Sequence, residues 1–378
     1  MKNLKKLSLF GLLICLTGCN SGNISTQGGA VKKGKEITQE EAKQEMEVAS
    51  KAMENHDALS LSMENGSYNY SLNVEKTIPL GDKTSTFSLS KNTKAEKINL
   101  GLGMKGLTSS STDDVLAYGA VSANMDINGL TEASGVKHSY QTPKGKINLG
   151  AYQEGSTTYL DLSDNNLQGT LSTIVKEGEI DNTHSFDFTT DKKLAFENTI
   201  EDEDMPLLTQ AAINRLTYKV SEKIEDIASL GGTVKALKHD DGTYSYSVSA
   251  EDLKNAVGFK EKLENDEAFD YDEDEDFGYP SLKPETTSTF NVNTYSIAFV
   301  FDDNGIVSIG ATIDVDYTMQ KKLTVNGYTF QTDVKMKYTL DGKLNFDYSD
   351  KAVIKTVADK DTYKVVKNSD FDIKDLLD

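Results

Sequence analysis

The chain has two cysteines, no tryptophan, five prolines and, among its 40 basic residues, a single arginine, Arg215. Each scarcity excludes something. Cys15 and Cys19 are the two cysteines, so the chain beyond position 19 carries no thiol. Disulfide cross-links, thiolate nucleophiles and cysteine-ligated zinc are thereby removed from the body. An ordinary core must hold it, and roughly 340 residues suffice for one large domain or two small ones. Without tryptophan the usual stacking platform for sugar rings is missing, although 17 tyrosines replace part of it. The formal charge is −20. An acidic surface poor in arginine argues against nucleic acid as a partner and against broad adhesion to anionic lipid head groups. No apolar run reaches the ~20 residues that a membrane-crossing helix needs.

Catalytic signatures are missing too. The nearest approach to Gly-x-Ser-x-Gly is at Ser229, where Ile227 stands in place of the first glycine. Ser-x-x-Lys occurs at Ser88/Lys91 and Ser134/Lys137 without a Lys-Thr-Gly partner. Neither a Walker loop nor Gly-x-Gly-x-x-Gly occurs. His56, His138, His184 and His239 are scattered, with no His-x-x-x-His spacing. No enzyme activity, cofactor or metal site is expected. Residues 264–276 are the compositional outlier, with Asp270, Asp272 and Asp274 at the 1-3-5 spacing of a calcium loop. Glu275 and Ser281 occupy the positions where that loop needs Gly and Glu, so the match fails. An acidic loop over residues 264–285 is the expectation.

What is present starts at the N-terminus. Lys2, Lys5 and Lys6 precede an apolar run over residues 7–16, closed by Leu16-Thr17-Gly18-Cys19. This resembles a bacterial lipoprotein signal peptide with its lipobox. The resemblance implies a signal peptide over residues 1–18, diacylglyceryl transfer to the Cys19 thiol, cleavage before Cys19, and fatty acylation of the new amino group. It places the protein on the extracytoplasmic face of the cell membrane. One acyl chain holds a protein marginally, whereas two or three hold it stably. The Gly, Ser and Asn content after Cys19 gives a flexible tether, expected over residues 19–37.

The body reads as one domain over residues 38–366 with a short tail, 367–378. Thr38 and Glu41 have capping-box spacing, and Ala42, Met46, Ala49 and Met53 recur on one helical face. Period-two alternation follows: Tyr68 to Val74 after an Asn65-Gly66 turn, Ile98 to Met104, and Val115 to Ile127 up to Asn128-Gly129. A hairpin is expected around Glu154-Gly155, then a short helix from Ser163 to about residue 176. Phe186, Phe188, Leu194 and Phe196 predict a strand pair. Pro206 opens a helix carrying Leu208, Ala212, Leu216, Val220, Ile224 and Ile227, and Ser249 and Asp252 cap another. Residues 291–348 predict a four-stranded meander turning at Asn304-Gly305, Asn326-Gly327 and Asp341-Gly342.

The expected fold class is therefore α+β: a long-stranded, curved, half-barrel-like antiparallel sheet with helices packed on one face. The helix of residues 42–53 feeding the strand after Asp57 gives the chain, over residues 38–366, an order that resembles the Lol-type lipoprotein carriers and their lipid-carrying relatives. That resemblance implies an apolar ligand between sheet and helices, with Ala42, Met46, Ala49 and Met53 lining its site. The rival expectation is a non-catalytic surface lipoprotein acting through protein contacts, its core filled.

Overall fold

The computed structural model describes residues 34–109, 111–133, 136–175, 181–197, 233–249 and 285–366. The signal segment with Cys19, the helix from Pro206, the capping box beyond Ser249, the acidic run and the C-terminal tail lie outside the described residues.

The protein is mostly β. The strands are β1 (Gly34–Glu36), β2 (Ala58–Leu80), β3 (Lys83–Lys105), β4 (Leu116–Ala133), β5 (Val136–Glu154), β6 (Thr157–Asp161), β7 (Asn165–Val175), β8 (Asp181–Thr190), β9 (Lys193–Phe196), β10 (Thr233–His239), β11 (Tyr244–Ser249), β12 (Glu285–Asp302), β13 (Gly305–Val325), β14 (Tyr328–Tyr348) and β15 (Lys364–Val365). They form one sheet in the order β1-β10-β11-β12-β13-β14-β2-β3-β4-β5-β6-β9-β15, with β7 and β8 branching from β5. All pairings are antiparallel except β15 on β9. Among the described residues the only α-helix is α1 (Gln39–Ala52). This corrects the expected α+β class: one helix over one part of a large sheet replaces a half-barrel covered by several. Residues 165–175, expected as a helix, form β7. Leu167, Leu171 and Thr173 share one parity there, and β-branched residues at its end favour a strand. β8 and β9 both exist but pair with β7 and β6 rather than with each other. The expected tether includes a strand at its end, since Gly34–Glu36 pairs with Leu237–His239 of β10.

The long hairpins follow from their turns. Gly81, Asn326, Gly327 and Gly155 take positive φ at hairpin tips, where tight turns require it. Three other Asx-Gly pairs do not turn the chain. Asn65-Gly66 lies inside β2, Asn128-Gly129 inside β4, and Asp341-Gly342 inside β14. The meander therefore has three strands, β12 to β14, and β14 continues past Asp341-Gly342 to pair with β2. Two of these pairs meet: Asp341 faces Ser67, Leu344 faces Met63, and the register shifts between them. β2 has one residue more than β14 in that interval, a β-bulge. An inserted residue reverses which parity faces the core. Leu61 is buried on one side of the bulge and Val74 on the other, odd then even. Further bulges, at Glu96/Asn99 of β3 and at Gln141/Lys144 of β5 opposite Asp126/Asn128 of β4, continue the line across neighbouring strands.

The main core lies at the end of the sheet beneath α1. Ile297, Phe299, Phe301, Ile313, Val315 and Phe346 cluster there with Tyr244, Tyr246 and Ile306. The core residues are odd-numbered in β12, even-numbered in β14 and odd-numbered in most of β13, where the register shift after Val300 brings even-numbered Ile306 opposite Phe301. The helix is started by the expected box. Thr38 Oγ1 accepts from Glu41 N at 3.1 Å, and Glu41 Oε2 accepts from Thr38 N at 2.8 Å. The opposite face at this end carries the segment after β14. Val353 N donates to Ser60 Oγ at 2.9 Å, Val357 N donates to Glu154 Oε1 at 2.6 Å, and Val366 N donates to Ala195 O at 2.9 Å. This strap crosses the strands along the partner row Ser60, Gly103, Tyr118, Tyr152, Tyr159 and Ala195.

Candidate functional site

The four residues expected to line a ligand site are brought together, but inside packing. Ala42, Met46, Ala49 and Met53 are exposed by 1, 5, 0 and 4 % and belong to the main core. α1 lies across β10 to β13. Tyr246, Phe299, Phe301 and Ile306 fill the space beneath it. Burying each methionine contributes about 1.5–3 kcal/mol. The small alanines bring the helix close to aromatic rings.

A polar cavity of about 360 Å³ lies elsewhere, at the paired bulge of β2 and β14. Ser62, Glu64, Asn65, Asp341, Lys343 and Asn345 line it, and none of the four stripe residues does. Its geometry follows from the bulge. Asn65 takes φ 56°, a conformation Asn tolerates better than most residues. Its N–H donates to Asn99 Oδ1 at 3.1 Å, and Asn99 Nδ2 donates to the Lys97 carbonyl at 2.9 Å. Thr312 Oγ1 donates to Asp341 Oδ1 at 3.2 Å. Gly66 and Gly342 approach Met63 so closely that an added Cβ would sit 3.1 and 2.8 Å from its sulfur. The lining offers carboxylates, one ammonium and amides, a set that hydrogen-bonds small polar solutes. Among the described residues no group of three or more His, Cys, Asp and Glu side chains is placed to hold a metal ion.

A serine–histidine contact was invisible in the sequence. His56 Nδ1 lies 2.9 Å from Ser349 Oγ, and Nε2 lies 2.8 Å from the Asn304 carbonyl oxygen. The ring packs on Tyr348 at 4.7 Å. An orienting carboxylate, which a serine–histidine nucleophile normally has, is replaced by a backbone carbonyl. The 293 positions between the two residues left no local signal. His138 and His239 bond Thr173 and Ser245, at 3.1 and 2.8 Å, as strand residues.

Tyrosines and carboxylates cluster beneath the strap. Glu154 accepts an ion pair from Lys360 as well as the Val357 amide. Tyr363 stacks edge-on against Tyr159 at 5.3 Å, and its hydroxyl donates to Asp161 Oδ2 at 3.3 Å. Burial, then the Asp161 charge, raises the Tyr363 hydroxyl above its ordinary value. Lys355 lies 5.6 Å above the Tyr118 ring. These contacts bind the strap and leave no substrate space that the structure describes.

Neither a protein-family model nor a curated protein matches the chain. Solved structures match it only distantly. The secretin-domain β-barrel of InvG from the Salmonella injectisome is 12 % identical over 92 % of this chain and 81 % of that one, with a TM-score of 0.16. The outer membrane protease OmpT of Escherichia coli is 9 % identical over 78 % of this chain and 98 % of its own, also at 0.16. The translocator domain of the autotransporter NalP from Neisseria meningitidis is 8 % identical over 79 % and 95 %, at 0.12. Scores this low establish no shared fold with any of the three.

Proposed function

We propose that this chain is an extracytoplasmic lipoprotein held in the cell membrane through acyl chains on Cys19, and that its body works by surface contact rather than by catalysis or by carrying a lipid inside. The lipobox supports the anchor. The observation that carries the second half is the fate of the α1 stripe: Ala42, Met46, Ala49 and Met53 are consumed by the core. A carrier needs such a stripe to face an open apolar space of about 300 Å³ or more. The described cavity is polar and lies outside that core. The tether fits contact work at a membrane. Fifteen peptide steps separate Cys19 from Gly34, a reach of at most ~54 Å at ~3.3–3.6 Å per residue.

Two measurements test this. In fractionated cells the wild-type chain is expected in the membrane with an acylated Cys19, and Cys19→Ser is expected to accumulate as an unprocessed, unlipidated precursor. Processing before residue 19 and membrane retention of Cys19→Ser would refute the anchor. Native mass spectrometry of the mature chain released from detergent is expected to show the acylated protein alone; a stoichiometric second lipid would restore the carrier reading.

A further inference from the structure

The paired bulge breaks the ladder between β2 and β14. Glu64, Asn65 and Gly66 have no partner on β14, and Gly342 and Lys343 have none on β2. Glu64 and Asn65 have none on β3 either. The polar cavity of about 360 Å³ occupies this gap. Ser62 partners Asn345, so even residues of β2 before the bulge share a face with odd residues of β14. That face is turned away from α1, because Leu61 and Phe346, of the other parity, belong to the main core. Two opposite charges meet at the cavity and stay apart. Glu64 and Lys343 are both exposed, and neither makes a hydrogen bond or an ion pair with any described residue. Asp341 is half-buried and accepts from Thr312 through Oδ1, which leaves Oδ2 for another donor. On the same strand and face a lysine does find carboxylates: Lys337 lies 3.6 Å from Asp314 and 3.9 Å from Asp316.

We propose that this cavity binds a free diamino acid, a zwitterion whose side chain ends in a second ammonium group. The charge count sets the class. Two carboxylates and one ammonium line the site, and their complement is two ammonium groups and one carboxylate. Asp341 and Lys343 stand two residues apart on one face of β14, ~6.5 Å along the strand. An α-amino acid head laid between them turns its ammonium to Asp341 and its carboxylate to Lys343. Glu64 lies across the gap on β2 and takes the terminal ammonium. Asn65, Asn345 and Ser62 offer further donors and acceptors. A cavity near the ~300 Å³ lower end of ligand sites suits a solute this small. Other solutes fit less well. The lining has no apolar side chain for an apolar molecule to cover. A simple anion meets two carboxylates in a chain of net charge −20. A neutral polyol leaves Glu64 and Lys343 without counter-charges. The inference is independent of the anchor at Cys19.

Saturation-transfer NMR on the full chain in detergent tests it, with L-lysine as the probe. Two analogues each lack one charge: L-norleucine has no terminal ammonium, and cadaverine has no carboxylate. L-Lysine should bind with a dissociation constant on the order of 1 mM, because its partners are largely solvated. Norleucine and cadaverine should each bind about two- to fivefold more weakly, the worth of one exposed charge pair. Two substitutions then locate the site. Glu64→Gln should weaken L-lysine and erase its advantage over norleucine. Lys343→Gln should weaken L-lysine and erase its advantage over cadaverine. Neither side chain has a described partner, so both variants should melt at the wild-type temperature. No transfer to L-lysine at concentrations well above the expected constant overturns the inference. Transfer that neither substitution changes overturns it by placing the ligand elsewhere. Cadaverine binding as tightly as L-lysine makes the cavity an amine site, and D-glucose competing equally makes it a polyol site; either result overturns the diamino acid.

Discussion

His56 Nδ1 accepts the Ser349 hydroxyl proton across 2.9 Å, and the tautomer follows from the other side of the ring. The Asn304 carbonyl can only accept, so Nε2 carries the hydrogen and Nδ1 is left as an acceptor. One imidazole thus ties the junction of α1 and β2 to the β12–β13 turn and to the start of the strap. Tyr348 supports it from below: its ring packs on His56, and its hydroxyl donates to the Ile306 carbonyl at 2.9 Å. Burial raises that hydroxyl well above the ordinary tyrosine value.

His56→Ala should therefore destabilise the fold by about 1–3 kcal/mol, the cost of removing the partner of two hydrogen bonds. Ser349 adds a sharper test because its φ is +54°. Ser349→Ala and Ser349→Gly both lose the hydroxyl, but only glycine relieves the left-handed backbone. Urea unfolding should rank Ser349→Gly above Ser349→Ala by about 1 kcal/mol. Equal stability would mean that the strap leaves this conformation in solution.

Ala49 separates a filled core from a ligand space. It is fully buried in the helix stripe. Ala49→Leu adds three carbons that a cavity would accept at no cost. In a packed core it should cost about 1–3 kcal/mol and lower the melting temperature. Met46→Ala should cost about 2–5 kcal/mol, because the vacated volume cannot collapse freely. If Ala49→Leu proves neutral or stabilising, there is room under α1.

How legible these features were depends on sequence distance. The Thr38 and Glu41 box and the stripe from Ala42 to Met53 are local and fell where expected. Alternation marked β12 to β14 as strands, because pleat and burial share a period of two, but the register shift that turns Ile306 inward left no such mark. Asx-Gly pairs misled in one direction. Asn326-Gly327 turns the chain, whereas Asn65-Gly66 and Asp341-Gly342, with the same chemistry, lie side by side within two neighbouring strands. A positive φ at Asn65 serves a bulge as well as a turn. Only the pairing of β14 with β2, more than 250 positions apart in sequence, decides which. The polar cavity and the His56 contact both arise from that same remote pairing or others like it.

Asp57 predicts a pH response. Its carboxylate accepts from the Thr108 hydroxyl at 2.7 Å and the Thr108 amide at 3.3 Å, and the hydroxyl is the main reason it is held below its ordinary value of 3.8. A carboxyl depressed in the folded state adds stability above the unfolded value and loses it as pH falls through the folded one. Thr108→Val should leave the shape of the stability curve unchanged above about pH 5. Below pH 4 the variant should lose less stability per pH unit than the wild type. Parallel acid limbs in the two proteins would show that Asp57 is not the group responsible.

Gly103 predicts how the strap is held. An added Cβ would lie 2.5 Å from the Tyr118 ring and 2.7 Å from the Val353 carbonyl oxygen. The ring is packed against Tyr152 and cannot swing freely. The carbonyl is backbone whose amide already bonds Ser60. Gly103→Ala must therefore push the strap off the sheet. Gly101 is the control, since its Cβ would meet only the Tyr118 ring, at 3.2 Å. Hydrogen exchange at the Val353 and Val357 amides should accelerate about tenfold in Gly103→Ala, equivalent to ~1.4 kcal/mol of local opening, and much less in Gly101→Ala. Trypsin should cut after Lys355 and Lys360 sooner in the first variant. The Ala352 to Tyr363 segment is anchored again downstream by Tyr363 and the Val366 amide. The acceleration should accordingly fade from Val353 towards Val366; a uniform rise along the strap would mean that it docks as a single all-or-none unit.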